Sequence, residues 1–245
     1  MLHRGHHRLV TAVLAGLVSF ATFGPVQGNA QAPYETRAQH DPDGTGRFYM
    51  GREIAQVMGP GGIEWLDRSQ RETEEHPTEV LSALALHRGD VVADLGAGSG
   101  YFTFRMAPQV GDTGKVFAVD VQDEMLRTLQ QRAATLRLRN VQVVKATETD
   151  PHLPPNAVDL VLMVDVYHEL AYPREVMEKV RASLKPNGRV AFVEYRKEDP
   201  QVPIKELHKM SVLQLEKEMK AVGLVRVRTV ETLPLQHIVL FQTAR

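Results

Sequence analysis

The stretch "VVADLGAGSGYFTFRMA", residues 91 to 107, sets three glycines two apart between an apolar run ending in an acid and the start of an amphipathic pattern. Glycines in such a turn bare the backbone N–H groups and let a ligand come close to the main chain. Their spacing discriminates between ligands. A dinucleotide fingerprint reads G-x-G-x-x-G, its third glycine seated inside the helix for tight packing. Here Gly96, Gly98 and Gly100 are evenly spaced, and Tyr101 stands where that third glycine would fall. The loop is therefore built for something other than a pyrophosphate. A second acid, Asp120, closes the next apolar run, "VFAVD", at the place where a carboxylate can accept both hydrogen bonds of a ribose diol. It can also serve as N-cap to "VQDEML". Asp94, at the mouth of the first run, is free to face a positive group.

A ribose, a cation near the turn and no pyrophosphate together describe S-adenosylmethionine, and here the sequence resembles the class I S-adenosylmethionine-dependent methyltransferases. "DLGAGSGYFT" resembles that family's first motif and "VFAVD" its second; "LPPNAVDLVLMVDVYHEL" is similar to the segment around its fourth strand, and "LKPNGRVAFVEY" to the entry into its fifth. The resemblance covers about residues 77 to 245. It implies S-adenosylmethionine as methyl donor, held by Asp94, Gly96, Ala97, Gly98, Gly100, Asp120 and Val121. Many relatives carry "GDA" after the third strand, with its acid near the adenine. This chain has "KATETD" there, which leaves Thr147, Glu148 or Asp150 for that contact.

Methyl transfer from a sulfonium is an in-line displacement in which positioning supplies much of the rate, and a base is needed only if the acceptor loses its proton early. Acceptor-side groups should project from strand ends beside the glycine turn. The sequence offers Asp165, Tyr167, His168 and Glu169 from "DVYHEL", then Glu194, Tyr195 and Arg196 from "VEYRKED". His168 is the natural general base, its proton affinity lying near neutrality, with Asp165 and Tyr167 beside it as catalytic candidates. Asp165, His168 and Glu169 could gather a divalent metal, as catechol-type relatives do, but three donors within five residues do not establish a site, and no metal is expected.

The elements that carry these residues alternate. "DVVADL", "KVFAVD", "VQVVKA", "VDLVLMVD" and "RVAFVEY" are near-continuous apolar strands, separated by the helical patterns "YFTFRMAPQV", "QDEMLRTLQQRAATLRL" and "PREVMEKVRASLK". Such strands lie in a parallel sheet covered on both faces, the α/β doubly wound architecture. After the helix "SVLQLEKEMKAVG", the strands "LVRVRTVETL" and "HIVLFQTA" are joined by so short a link that they must be antiparallel neighbours. The expected fold is a mostly parallel seven-stranded sheet with an antiparallel last strand and an N-terminal helical cap. The cap, residues 47–86, reads as helical pieces around the turn "GPGG", with Pro77 opening a helix whose Val80, Leu81, Leu84 and Leu86 face a core. It either lies over the acceptor pocket as a lid or packs Ile63, Trp65 and Leu66 on the core with its charges in water. "DPQVPIKELHKMS", carrying His208, is either another pocket wall or a plain connection.

Composition narrows the rest. The 245 residues, 43% hydrophobic, can bury a sizeable core, and 29 Lys and Arg against 30 Asp and Glu leave no basic surface for nucleic acid. The expected partner is a small-molecule or lipid-like substrate. Zero cysteines exclude a thiol nucleophile, a thiolate zinc site and a disulfide framework. Arg4 and Arg8 precede an uncharged run from Leu9 to Phe23, followed by Gly28 and Ala30, which is the pattern of a signal peptide over residues 1–30 cleaved after Ala30. That run is short for a permanent span, so the product is expected to be exported without a stable membrane span; an uncleaved segment tethering the domain is the alternative. Residues 31–46, with Pro33, Pro42, Gly44 and Gly46, read as a flexible linker, and residues 87–245 as the donor-binding domain. Two other activities fit the same fold: aminopropyl transfer from the decarboxylated donor, and non-catalytic binding of the nucleoside.

Overall fold

The computed structural model describes residues 1–2 and 33–244, so the expected signal segment lies outside the described residues. From Pro33 onward the chain forms one unit. It opens with strands β1 (Tyr34–Thr36), β2 (Gly44–Tyr49) and β3 (Arg52–Ala55), followed by short helices α1 (Ile63–Leu66) and α2 (Arg71–Glu74) and by α3 (Pro77–Leu84). The alternation then runs β4 (Val91–Leu95), α4 (Thr103–Val110), β5 (Lys115–Asp120), α5 (Asp123–Thr135), β6 (Val141–Lys145), β7 (Val158–Val164), α6 (Pro173–Ser183) and β8 (Leu184–Arg196). It ends with β9 (Lys209–Met210), α7 (Val212–Ala221), β10 (Leu224–Val230) and β11 (Gln236–Thr243).

The central sheet has the order β10-β11-β8-β7-β4-β5-β6, with β9 pairing alongside β8. The strands from β4 to β8 run parallel, and β11 is antiparallel to both β8 and β10, as the short link before it requires. Both faces are covered, which is why β7 is apolar almost throughout. On one face Ala93, Leu95, Val161, Met163 and Phe192 pack against Val176, Met177 and Val180 of α6 and Leu215 and Met219 of α7. On the other, Val92, Val116, Leu160 and Leu162 meet Val80 and Leu84 of α3 and Phe102, Met106 and Val110 near α4. Pro77 stands at the first turn of α3, where its missing N–H costs nothing, as expected.

The N-terminal region differs from its reading. "RFYMGREIA", expected to be helical, is the hairpin β2–β3, turned at Met50 (φ 49°) and Gly51 (φ 92°). Positive φ at both central residues is the twist-matched hairpin turn that glycine favours. The expected linker is ordered from Pro33: β1 pairs with β2, and Tyr34 packs against Tyr49 and Tyr172 with the Arg47 guanidinium over its ring. Its glycines make room rather than slack. A Cβ at Gly44 would strike the buried Glu53 carboxylate, which accepts the Gly46 N–H at 3.0 Å and the Asp41 N–H at 3.2 Å. Among the described residues no helix is long and apolar enough to cross a membrane.

Candidate active site

The carboxyl ends of β4, β5, β7 and β8 meet at one edge of the sheet, the edge where parallel α/β sheets take their ligands. Gly96 and Gly98 have φ of +74° and +54°, and a Cβ on them would come 2.5 Å from Val166 Cγ2 and 2.8 Å from Leu66 Cδ1. The expected bare N–H groups are spent inside the protein. Those of Gly96 and Ala97 donate to the Val119 carbonyl at 2.8 and 3.0 Å, that of Gly98 to Asp120 Oδ2 at 2.9 Å, and that of Gly100 to the Ala97 carbonyl. The turn's glycines let Val166 and Leu66 pack against bare backbone and supply no nest of free donors, which agrees with a ligand that carries no phosphate.

Beside the turn lies a cavity of about 680 Å³. Gly96, Gly98, Asp120, Val121, Thr147 and Glu148 line it, as do Asp165 and His168. Asp120 is buried; its Oδ2 faces the glycine turn and its Oδ1 accepts the Gln122 N–H at 2.9 Å, leaving each oxygen a further lone pair. Burial raises its pKa. Asp165 sits at φ 52° with Oδ2 bonded to Gln236 Nε2 at 2.7 Å, while its Oδ1 is buried without a partner. Burial first, then the charges of Glu75 and Glu194, push its pKa well up.

Seven expected site residues do not reach the cavity wall: Asp94, Ala97, Gly100, Asp150, Tyr167, Glu194 and Arg196. Asp94 lies on the α4 face of β4 and accepts the Thr103 hydroxyl at 2.6 Å, and burial raises it to about 6. Ala97 packs with Ala118 and Leu129 in the core. A Cβ at Gly100 would strike Phe104, so that glycine serves helix packing. Tyr167 turns into the core beneath α6 and α7, its hydroxyl donating to Glu218 Oε2 at 2.7 Å and its ring edge-on to Phe192. The short helical turn at Tyr167–Glu169 explains the split, because it sends successive side chains in different directions.

His168 is almost wholly buried, and its Nδ1 meets Glu194 Oε2 at 2.6 Å. Burial disfavours charge on both partners, lowering His168 to about 4 and raising Glu194 to about 8. Glu194 Oε1 also accepts the Tyr167 N–H at 2.9 Å, so the carboxyl pins the turn as well as the ring. The other imidazole nitrogen, Nε2, faces His208 Nδ1 at 3.1 Å. Burial lowers His208 to about 4 and raises Glu169, which accepts the Met58 N–H at 3.2 Å, to about 7. The loop before β9 is thus a pocket wall, with Pro203, Ile204 and Lys205 beside His208. The cap supplies Met58, Trp65, Leu66 and Arg68 to the same cavity. Gln236 was not singled out from the sequence, nor was Glu75, which binds Arg71 Nε and Arg68 Nη2 at 2.6 Å each. Gln236 carries no local signal because its partner Asp165 lies 71 residues away, and Glu75 stands in a charged run that reads as a solvated face.

Comparison with known proteins agrees with this geometry. The family described as methyltransferase domain matches residues 93–190. A SAM-dependent methyltransferase from Aquifex aeolicus has 30% identity and a TM-score of 0.71, over 76% of this chain and 98% of the other. The chain belongs to the class I S-adenosylmethionine-dependent methyltransferases. PH0226 protein from Pyrococcus horikoshii OT3 shares the fold, at 16% identity and a TM-score of 0.59 over 73% of this chain and 93% of that one. The ubiquinone/menaquinone biosynthesis C-methyltransferase UbiE of Salmonella arizonae is 28% identical over 119 residues, 48% of this chain and 47% of its own. The chain spans about half the length of the curated relatives it matches. S-adenosylmethionine is the methyl donor of this methyltransferase, and the residues fit it: side-chain-free backbone at Gly96 and Gly98 in the cavity wall, a buried Asp120 carboxylate with lone pairs free beside it, and an unpartnered buried Asp165 oxygen suited to a cationic group.

Proposed function

We propose that this methyltransferase acts on a small, hydroxyl-bearing acceptor of lipid-like character rather than on nucleic acid. The carrying observation is the mixed lining of the cavity: Met58, Trp65, Leu66, Leu170 and Ile204 are apolar, and His168 with Glu169 and His208 forms a polar group among them. Such a lining takes an apolar body and orients it by a few polar atoms. The names of the UbiE relatives, C-methyltransferases of ubiquinone and menaquinone biosynthesis, support a small, quinone-related acceptor.

Bound S-adenosylmethionine supplies an electrophilic methyl group. Asp120 holds the ribose end and Asp165 Oδ1 receives the cationic end. Glu194 locks the His168 ring through Nδ1, which turns Nε2 toward His208 Nδ1 and makes the two imidazoles one polar group for orienting the acceptor hydroxyl. Residues of the cap and of the His208 loop wall the cavity against water, which strengthens every electrostatic contact inside it. Export belongs to the same proposal, supported by Arg4 and Arg8 ahead of the uncharged Leu9–Phe23 run, with a membrane tether through an uncleaved segment as its alternative.

The test is label transfer. Enzyme, methyl-labelled S-adenosylmethionine and, separately, a hydroxylated naphthoquinol, a catechol, transfer RNA and unfolded polypeptide are incubated. Label is expected in the organic extract of the first two. Asp120→Ala should weaken S-adenosylhomocysteine binding by about 100-fold, the loss of two charge-assisted hydrogen bonds. Label found only in the RNA or the polypeptide overturns the reading.

A further inference from the structure

The sequence reading set Asp165, His168 and Glu169 against one another and expected no metal. The fold assembles a different trio, exchanging Asp165 for His208, forty residues from His168. His168 Nε2 lies 3.1 Å from His208 Nδ1 and 3.8 Å from Glu169 Oε1, and His208 Nδ1 lies 3.7 Å from that same oxygen. The two longer separations exceed a hydrogen bond. All three scatter around the edge of about 3.4 Å that ligands keep about a tetrahedral divalent ion with bonds near 2.1 Å. A plain hydrogen bond between the two rings accounts for one separation only, and Glu169 Oε1, which accepts the Met58 N–H at 3.2 Å, is turned toward both nitrogens without bonding either.

The surroundings are those of a metal ligand set. Glu194 on the far nitrogen of His168, at 2.6 Å, is the carboxylate that fixes the tautomer and orientation of a metal-binding imidazole. The nearby cations are committed elsewhere. Arg52 grips both Glu218 oxygens, at 3.0 and 3.1 Å, and the His168 carbonyl at 3.0 Å; Lys205 pairs with Asp43. Two imidazoles and one carboxylate suit zinc, cobalt or ferrous iron better than magnesium or calcium.

We propose that His168 Nε2, His208 Nδ1 and Glu169 Oε1 bind a divalent transition-metal ion, with its remaining coordination position turned to the cavity for an oxygen of the acceptor. All three residues line that cavity. The inference deepens the acceptor reading and rests on it for the fourth ligand alone; the protein's own three ligands stand without it. A ligated Nε2 is not also a proton acceptor. His168 then acts through the ion, which holds the acceptor oxygen and favours its ionised form.

Full-length, untagged enzyme is stripped with a chelator and titrated with cobalt(II), followed by its visible d–d absorption, and then with competing zinc. One equivalent with an intense four-coordinate spectrum is expected. His208→Ala and Glu169→Gln should each weaken cobalt binding by about 100-fold or more, and Glu194→Gln, at a positioning residue, by about tenfold. His3, His6 and His7 can also take up cobalt, so the decisive quantity is the difference between wild type and variant. Retained S-adenosylhomocysteine binding shows that each variant folds. Identical cobalt affinity in wild type and both ligand variants, or only the weak spectrum of a six-coordinate hydrated ion, overturns the site. That result would leave the acceptor reading standing, since donor binding and label transfer judge it separately.

Discussion

At the scale of single residues, neighbouring positions in one strand have parted company. Asp94 and Leu95 are adjacent, yet the pleat sends Asp94 to the α4 face while Leu95 lies on the cavity side. Asp94 is therefore a buried acid tied to Thr103, with a pKa raised by burial to about 6. The sign follows from the proton count: between the unfolded value near 4 and the folded value near 6, only the native state holds the proton. Stability from this group is present at low pH and lost as pH rises through that window, by at most about 3 kcal/mol. Asp94→Asn should gain stability over wild type by that order between pH 4 and 7 in urea unfolding. Parallel pH curves for the two proteins would show that Asp94 is not the titrating group. The glycine turn and Asp120 were legible in the sequence because a strand end, a turn and the next strand end are local features. The partnership of His168 with His208 was not, since nothing in either segment points forty residues away.

At the scale of elements, the doubly wound core was readable for a plain reason. Strands covered on both faces read as apolar runs, and residues 160–164 of β7 and 190–193 of β8 show it in sequence. The hairpin β2–β3 was misread because its Arg, Tyr and Glu positions interrupt any clean alternation, and because methionine is an unusual occupant of a left-handed turn position. Gly51 carries most of the turn's conformational demand, at φ 92°, and nothing lies within 4 Å of where its Cβ would stand. Gly51→Val should thus cost about 1–3 kcal/mol through backbone strain alone, without a clash. A melting temperature unchanged from wild type would mean that the hairpin contributes nothing to the folded unit. The β10–β11 pair was legible from link length, and its register, bulged between Arg226 and Arg228, was not.

At the scale of the whole molecule, the exported reading and the donor make opposite demands, because S-adenosylmethionine is made in the cytoplasm. Mature protein is expected to begin at Gln31 in the compartment outside the cytoplasmic membrane, which N-terminal sequencing of the fractionated protein decides. An intact Met1 on membrane-bound protein would favour the tether instead. The boundary drawn in sequence between cap and donor-binding domain, at residues 86 and 87, has no counterpart in the contacts. Tyr34 donates to Glu175, Met58 is held by Glu169, and Arg52 reaches Glu218 across 166 residues.

That last ion pair bears on how the chain could be shortened. Glu218 is fully enclosed and, among the described residues, receives a guanidinium only from Arg52 of β3, along with the Tyr167 hydroxyl and the Gln214 amide. Losing the Arg52 guanidinium with the cover in place would leave that α7 carboxylate enclosed and unpaired, a penalty of about 3–5 kcal/mol, and a fragment starting at Pro77 would lose cation and cover together. The hairpin is thus the counter-ion of the core it covers, and trimming the protein to its recognisable motifs would remove a charge the fold is built around.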